Sequence, residues 1–120
     1  MKILIVDDSN MMRAMVKRTL NQAGFTGHDL AEAPDGAAAL DYLKGNPADI
    51  VLSDWNMPNM NGIDLLRALR SGGNAIPFVF VTSEGTPEMR STASTAGAAG
   101  LIEKPFTPDA FKHVLGTLIS

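Results

Sequence analysis

At 120 residues the chain has the size of one domain around one core, and its 10 basic and 13 acidic side chains, a formal net charge of −3, leave no basic stripe for nucleic acid. The absence of cysteine excludes disulfides and thiolate metal sites and is compatible with a reducing compartment. No apolar stretch approaches the roughly 20 residues of a spanning helix, and the first residues lack the regions of a signal peptide. The expectation is therefore one soluble, cytoplasmic domain over residues 1–120, with no membrane insertion and no linker, repeat or attached output domain.

Short apolar runs alternate with helical signals along the chain. Lys2 to Val6 reads as a strand and is followed by the acid pair Asp7-Asp8. Ser9 then caps a helix whose Met12, Met15, Val16, Thr19 and Leu20 share one face. Arg13, Lys17 and Arg18 on that helix read as a solvated basic face. A second strand runs from His28 to Ala33, and Asp35 caps a helix carrying Ala39, Leu40 and Leu43. The third strand, Asp49 to Ser53, ends at Asp54. Asn61 precedes a helix with Ile63, Leu65, Leu66 and Leu69.

The fourth strand, Phe78 to Val81, is followed by Thr82. Thr86-Pro87 then supplies an N-cap and a first-turn proline. The helix it opens is weakly anchored, because Ser91 to Ala96 offers only small residues and Ser and Thr rank low in helix propensity. A fifth strand, Ala99 to Glu103, ends at Lys104. Thr107-Pro108 repeats the capping device before the stripe Phe111, Val114, Leu115, Leu118. The seven methionines read as core and filler, and His28 and His113 as surface residues.

Three of the strands are continuously apolar rather than alternating, as strands covered on both faces are. Strand and helix alternating five times predict an α/β layer fold with right-handed crossovers. In such a fold the carboxyl ends of the parallel strands line one edge, where ligands bind. Asp7, Asp8, Asp54 and Lys104 are all predicted to fall there. Three carboxylates so gathered raise one another's pKa unless cations intervene, and a hard divalent ion together with the Lys104 ammonium would relieve them. Taken singly, Asp7 and Asp8 also fit a helix-capping pair. Asp54 likewise fits a turn before Pro58, Thr82 a turn cap and Lys104 a solvated charge.

The segments ILIVDDS, VLSDWNMPNMNG, VFVTSE and GLIEKPF, in this order and spacing, resemble the receiver domain of two-component response regulators, in particular the single-domain chemotaxis (CheY-like) type. The resemblance implies a doubly wound, flavodoxin-like five-stranded parallel sheet in the order 2-1-3-4-5 with five helices. It implies that Asp54 accepts a phosphoryl group from a histidine kinase or phosphotransfer protein. Mg²⁺ would be held by Asp8, Asp54, the backbone carbonyl of Asn56 and, through water, Asp7. Lys104 would pair with the phosphoryl oxygens, and the Thr82 hydroxyl would move to meet them and carry the signal into the weak helix beyond. Asn56 and Glu84 would flank the water that hydrolyses the acyl phosphate, which implies a short-lived group. The resemblance also implies a cis Lys104-Pro105 bond. Leu101 stands where the chemotaxis type has an aromatic switch residue, so switching would run through Thr82 and backbone movement.

The implied protein is no conventional enzyme: it catalyses only its own phosphorylation and dephosphorylation. It acts on a downstream protein target, as a monomer or weak dimer. A phosphorelay shuttle, a phosphate-independent receiver-like module and a metal-dependent phosphatase are the competing readings. The last usually needs a cap domain, for which 120 residues leave little room.

Overall fold

The computed structural model describes residues 1–119; Ser120 lies outside the described residues. Five strands and five helices alternate: β1 (Lys2–Val6), α1 (Asn10–Gln22), β2 (Asp29–Ala33), α2 (Gly36–Gly45), β3 (Ile50–Ser53), α3 (Gly62–Ser71), β4 (Phe78–Thr82), α4 (Pro87–Ala96), β5 (Gly100–Glu103) and α5 (Pro108–Leu115). All strand pairings are parallel, in the order β2-β1-β3-β4-β5.

The continuous apolar runs place themselves in the middle. Every residue of β3 and β4 is buried, as are Ile3 to Val6 of β1, while the edge strands β2 and β5 keep exposed positions. Alternate residues of each central strand serve opposite layers. Ile3, Ile5, Ile50, Leu52, Val79 and Val81 meet Val16 and Leu20 of α1 and Phe111 and Leu115 of α5. Leu4, Val6, Val51, Phe78 and Phe80 meet Ile63, Leu65, Leu66 and Leu69 of α3, Ala39 of α2 and Ala93 of α4. Each fully buried Leu, Ile or Phe contributes roughly 1.5–3 kcal/mol, so the sheet is held from both sides.

All five helix starts follow the capping chemistry expected of them. The side chains of Ser9, Asp35, Asn61, Thr86 and Thr107 accept from the amides of Met12, Ala38, Asp64, Met89 and Ala110 at 2.8–3.2 Å. Strand ends differ from the sequence expectation by one residue. β2 starts at Asp29, after Gly27 in the left-handed region, and β4 extends to Thr82. β3 starts at Ile50 and β5 at Gly100, although the amides of Asp49 and Ala99 already bond neighbouring strands.

The expectation for the methionines holds only in part: Met57 and Met60 pack partly buried against the core, but none of the seven is fully buried, and Met11 and Met15 are 74% and 44% exposed. The first turns of α1 overhang the polar carboxyl edge of the sheet, where Met12 and Met15 face Lys104, Pro105 and Phe106 across a cleft. Only the second half of the helix, from Val16, reaches the core.

Helix α4 has one buried residue, Ala93, against five in α3. So little apolar contact leaves α4 free to open locally without unfolding the sheet. Native-state hydrogen exchange is expected to show the α4 amides exchanging at lower opening free energy than those of β1, β3 and β4. Equal protection throughout would contradict a locally weak α4.

Candidate functional site

Strand register assembles the site. Val6 pairs with Ser53, so the next residues, Asp7 and Asp54, leave the sheet side by side, with the Asp54 amide on the Val6 carbonyl at 2.8 Å. On the other side Thr82 pairs with Glu103, and the Lys104 amide bonds the Thr82 carbonyl at 2.8 Å. The chain order β1, β3, β4, β5 thus converts residues scattered from 7 to 104 into one edge cluster.

At its centre the Lys104 ammonium lies 3.0 Å from Asp7 Oδ2 and 3.4 Å from Asp54 Oδ2. These side chains are only 14%, 6% and 12% exposed, so the contacts are partly desolvated. The remaining carboxylate oxygens have amide donors: Ser9 N to Asp7 Oδ1 at 2.9 Å and Trp55 N to Asp54 Oδ1 at 2.8 Å. Asp8 is exposed, yet ligand oxygens of Asp7, Asp8 and Asp54 all fall within 4.8 Å of one another. Hard carboxylate oxygens at this spacing suit Mg²⁺, which binds oxygen at 2.0–2.1 Å, with only a small contraction.

The Asp54 pKa is raised above the ordinary aspartate value. Burial is the first cause, the Lys104 cation opposes it, and repulsion from Asp7 adds to it. This agrees with the expectation that the Lys104 cation relieves the mutual repulsion of the carboxylates. The ammonium between the two carboxylates screens them from each other, and lost hydration is left as the larger effect.

Thr82 is fully buried, and its Oγ1 accepts from the Glu84 amide at 3.2 Å. Glu84 in turn meets Asn56 across the edge, with Asn56 Nδ2 3.5 Å from Glu84 Oε1. Leu101 is half-buried and packs on the α3–α4 side. Beside it a cleft of about 210 Å³ is bounded by Arg90, Ala93, Ser94 and Ala98. The Lys104-Pro105 bond is cis.

Two features of the site were not read from the sequence. Gly62 donates its amide to the Trp55 carbonyl at 2.8 Å, and a Cβ there would lie 2.2 Å from the Asp54 carbonyl oxygen. Only glycine allows α3 to start so close behind Asp54. The Asn-Gly pair before an apolar stripe was the available signal, but its partner is set by tertiary contact. Arg13 is the second. It is not part of a solvated face: its side chain is 12% exposed and bonds Glu32 on β2 and the Asp7 carbonyl. Lys17 also pairs with Glu32, at 2.6 Å, which leaves Arg18 as the exposed cation of the three.

A parallel sheet in this order with an acidic cluster and a lysine at its carboxyl edge defines a class, the flavodoxin-like phospho-signalling domains. The response regulator receiver domain family matches residues 3–115. The chain is 45% identical over 115 residues to the chemotaxis protein CheY of Pseudomonas aeruginosa, covering 94% of this chain and 91% of that one. It is 42% identical over 124 residues to chemotaxis protein CheY1 of Helicobacter pylori, covering 98% of both. The structure of the Vibrio cholerae chemotaxis protein CheY4 aligns with a TM-score of 0.85 at 34% identity, covering 98% of each chain. The chain therefore belongs to the response regulator receiver family: it is a phospho-accepting two-component signalling switch and not a conventional enzyme. No described helix is long and apolar enough to cross a membrane.

A raised carboxyl pKa means that the folded state holds the Asp54 proton more tightly than the unfolded chain. The resulting stability is full below the ordinary aspartate value and is lost as pH rises through the higher folded value. In EDTA at neutral pH, Asp54→Asn is therefore expected to raise the urea midpoint above that of the parent. The gap should shrink towards pH 4; a lower midpoint for the variant at both pH values would contradict it.

Proposed function

We propose that Asp54 is the phosphoacceptor: like Asp7 it is partly desolvated, reached by Lys104 and held at its other oxygen by a backbone amide, but it alone leaves β3, the strand paired with both β1 and β4, and so stands between the acid pair and Thr82. A carboxylate oxygen attacks phosphorus of a phosphohistidine on a partner kinase or phosphotransfer protein. The P–O bond forms as the P–N bond breaks, and the leaving imidazole takes up a proton. Such a transfer demands positioning and charge neutralisation more than covalent work by the protein.

Asp8, Asp54 and the Asn56 carbonyl would hold Mg²⁺, with Asp7 contributing through water. When bound, the ion neutralises charge on the transferring oxygens. Lys104 exchanges its contact with Asp54 for one with a phosphoryl oxygen while remaining on Asp7. The Thr82 hydroxyl leaves the Glu84 amide to donate to the same group and draws the β4–α4 loop inward. The poorly anchored α4 follows, and Leu101 adjusts beside it without an aromatic gate. This is a charge-driven bias on a two-state element. The cytoplasmic domain of residues 1–120, monomer or weak dimer, passes its state to a downstream protein target, consistent with the chemotaxis names of its relatives.

Incubation with acetyl phosphate and Mg²⁺, followed by rapid quenching and intact mass, is expected to show one added phosphoryl group. It should be lost in EDTA and in Asp54→Asn. No adduct at all would point to a phosphate-independent binding module.

Asn56 and Glu84 flank the position of the hydrolytic water, and each is worth about one hydrogen bond to it, ~1 kcal/mol. Replacing either with alanine is expected to slow loss of the phosphoryl group roughly five-fold. Unchanged lifetimes would remove both residues from the hydrolysis.

A further inference from the structure

We infer that Arg13 is a positioning residue: its guanidinium sets the Asp7–Asp8 peptide and, through it, aims the Asp8 carboxylate for divalent-cation binding. This rests on the receiver reading above.

The argument begins with Asp8. Among the described residues its carboxylate has neither a hydrogen bond nor an ion pair, although it is one of the three groups that converge on the cation position. Asp7 is held at both oxygens, by Ser9 and Lys104, and Asp54 by Trp55 and Lys104. Asp8 alone depends on its backbone for direction.

That backbone has just left the sheet. The Asp7 amide still bonds the Ala33 carbonyl of β2 at 3.1 Å, but the Asp7 carbonyl is past the last paired strand residue. Its partner is Arg13 Nη1. The same guanidinium donates from Nη2 to Asn10 Oδ1 and from Nε to Glu32 Oε1, the last at 3.0 Å. One planar group thus ties together the end of β1, the first turn of α1 and strand β2. A peptide carbonyl fixed in this way, with the Ser9 amide returning to Asp7 Oδ1, leaves the intervening Asp8 little rotational freedom.

The tether has a second consequence. A guanidinium bonded to the Asp7 carbonyl, one residue before Asp8, is itself a candidate counter-ion for Asp8. Glu32, backed by Lys17 at 2.6 Å, holds the Nε side of the fork on β2. The acidic position is thereby kept for a divalent ion. A lysine at residue 13 would keep the charge but not three donors in fixed directions.

Groups that orient metal ligands typically cost 10–100-fold in metal affinity when removed. Calorimetric titration of the full chain with MgCl₂ is therefore expected to give a Kd raised about 10–100-fold in both Arg13→Ala and Arg13→Lys. Urea midpoints in EDTA report folding separately. Acetyl phosphate labelling of both variants should return at saturating Mg²⁺, because Asp54 and Lys104 are untouched.

Folded variants that bind Mg²⁺ as tightly as the parent, or a lysine variant that fully restores binding, would overturn the inference and leave the receiver reading intact. A parent that takes up no Mg²⁺ would overturn the reading itself. If the Arg13 variants do not fold, Glu32→Gln at the half-exposed end of the network decides. A raised Kd supports the positioning role, and an unchanged one removes it.

Discussion

The ammonium of Lys104, 3.0 Å from Asp7 and 3.4 Å from Asp54, is the contact on which the site depends. Two carboxylates so nearly buried would each face the cost of lost hydration and of the other's charge. A single cation set between them offsets both and still leaves Asp54 with a raised pKa. The edge is therefore stable enough to persist and charged enough to need a further cation. It is also open enough, through exposed Asp8, to accept one.

The rest of the architecture follows from where that contact must sit. Its two ends come from β1 and β5, which are not neighbours, and β3 and β4 fill the space between them. Complete burial of β3 and β4 makes this frame rigid, so Asp54 and Thr82 are presented from fixed strand ends. The helix that follows Thr82 is held differently, by one buried and one partly buried alanine, by Arg70 on the carbonyl of its C-cap Gly97 and by the Arg90 contact to Glu103 on β5. Rigid presentation on one side of Thr82 and loose packing on the other is the mechanical asymmetry a switch requires.

Much of this was legible along the chain. All five caps could be named, because an N-cap is satisfied within three residues and needs no tertiary partner. The central strands were marked by unbroken apolar runs, for which burial on both faces is the only economical placement. The acid pair, Asp54, Thr82 and Lys104 were identifiable because each directly follows or ends such a run. The misplaced residues share a different property. Met12 and Met15 obey helical spacing, yet the first half of α1 lies over the polar edge rather than over the core. Arg13 looked like one of three surface cations until Glu32 and the Asp7 carbonyl came within its reach.

The sequence by itself determined the alternation of elements, the parallel sheet and the inventory of charged groups at its carboxyl edge. These depend on local periodicity and on chemistry confined to a few neighbouring residues. Only the tertiary structure decided which carboxylate is desolvated, which oxygen faces Lys104, that Gly62 must lie against the Asp54 carbonyl, and that Arg13 turns inward. Those are matters of register and burial between segments as much as 97 residues apart, and no local pattern encodes a distance.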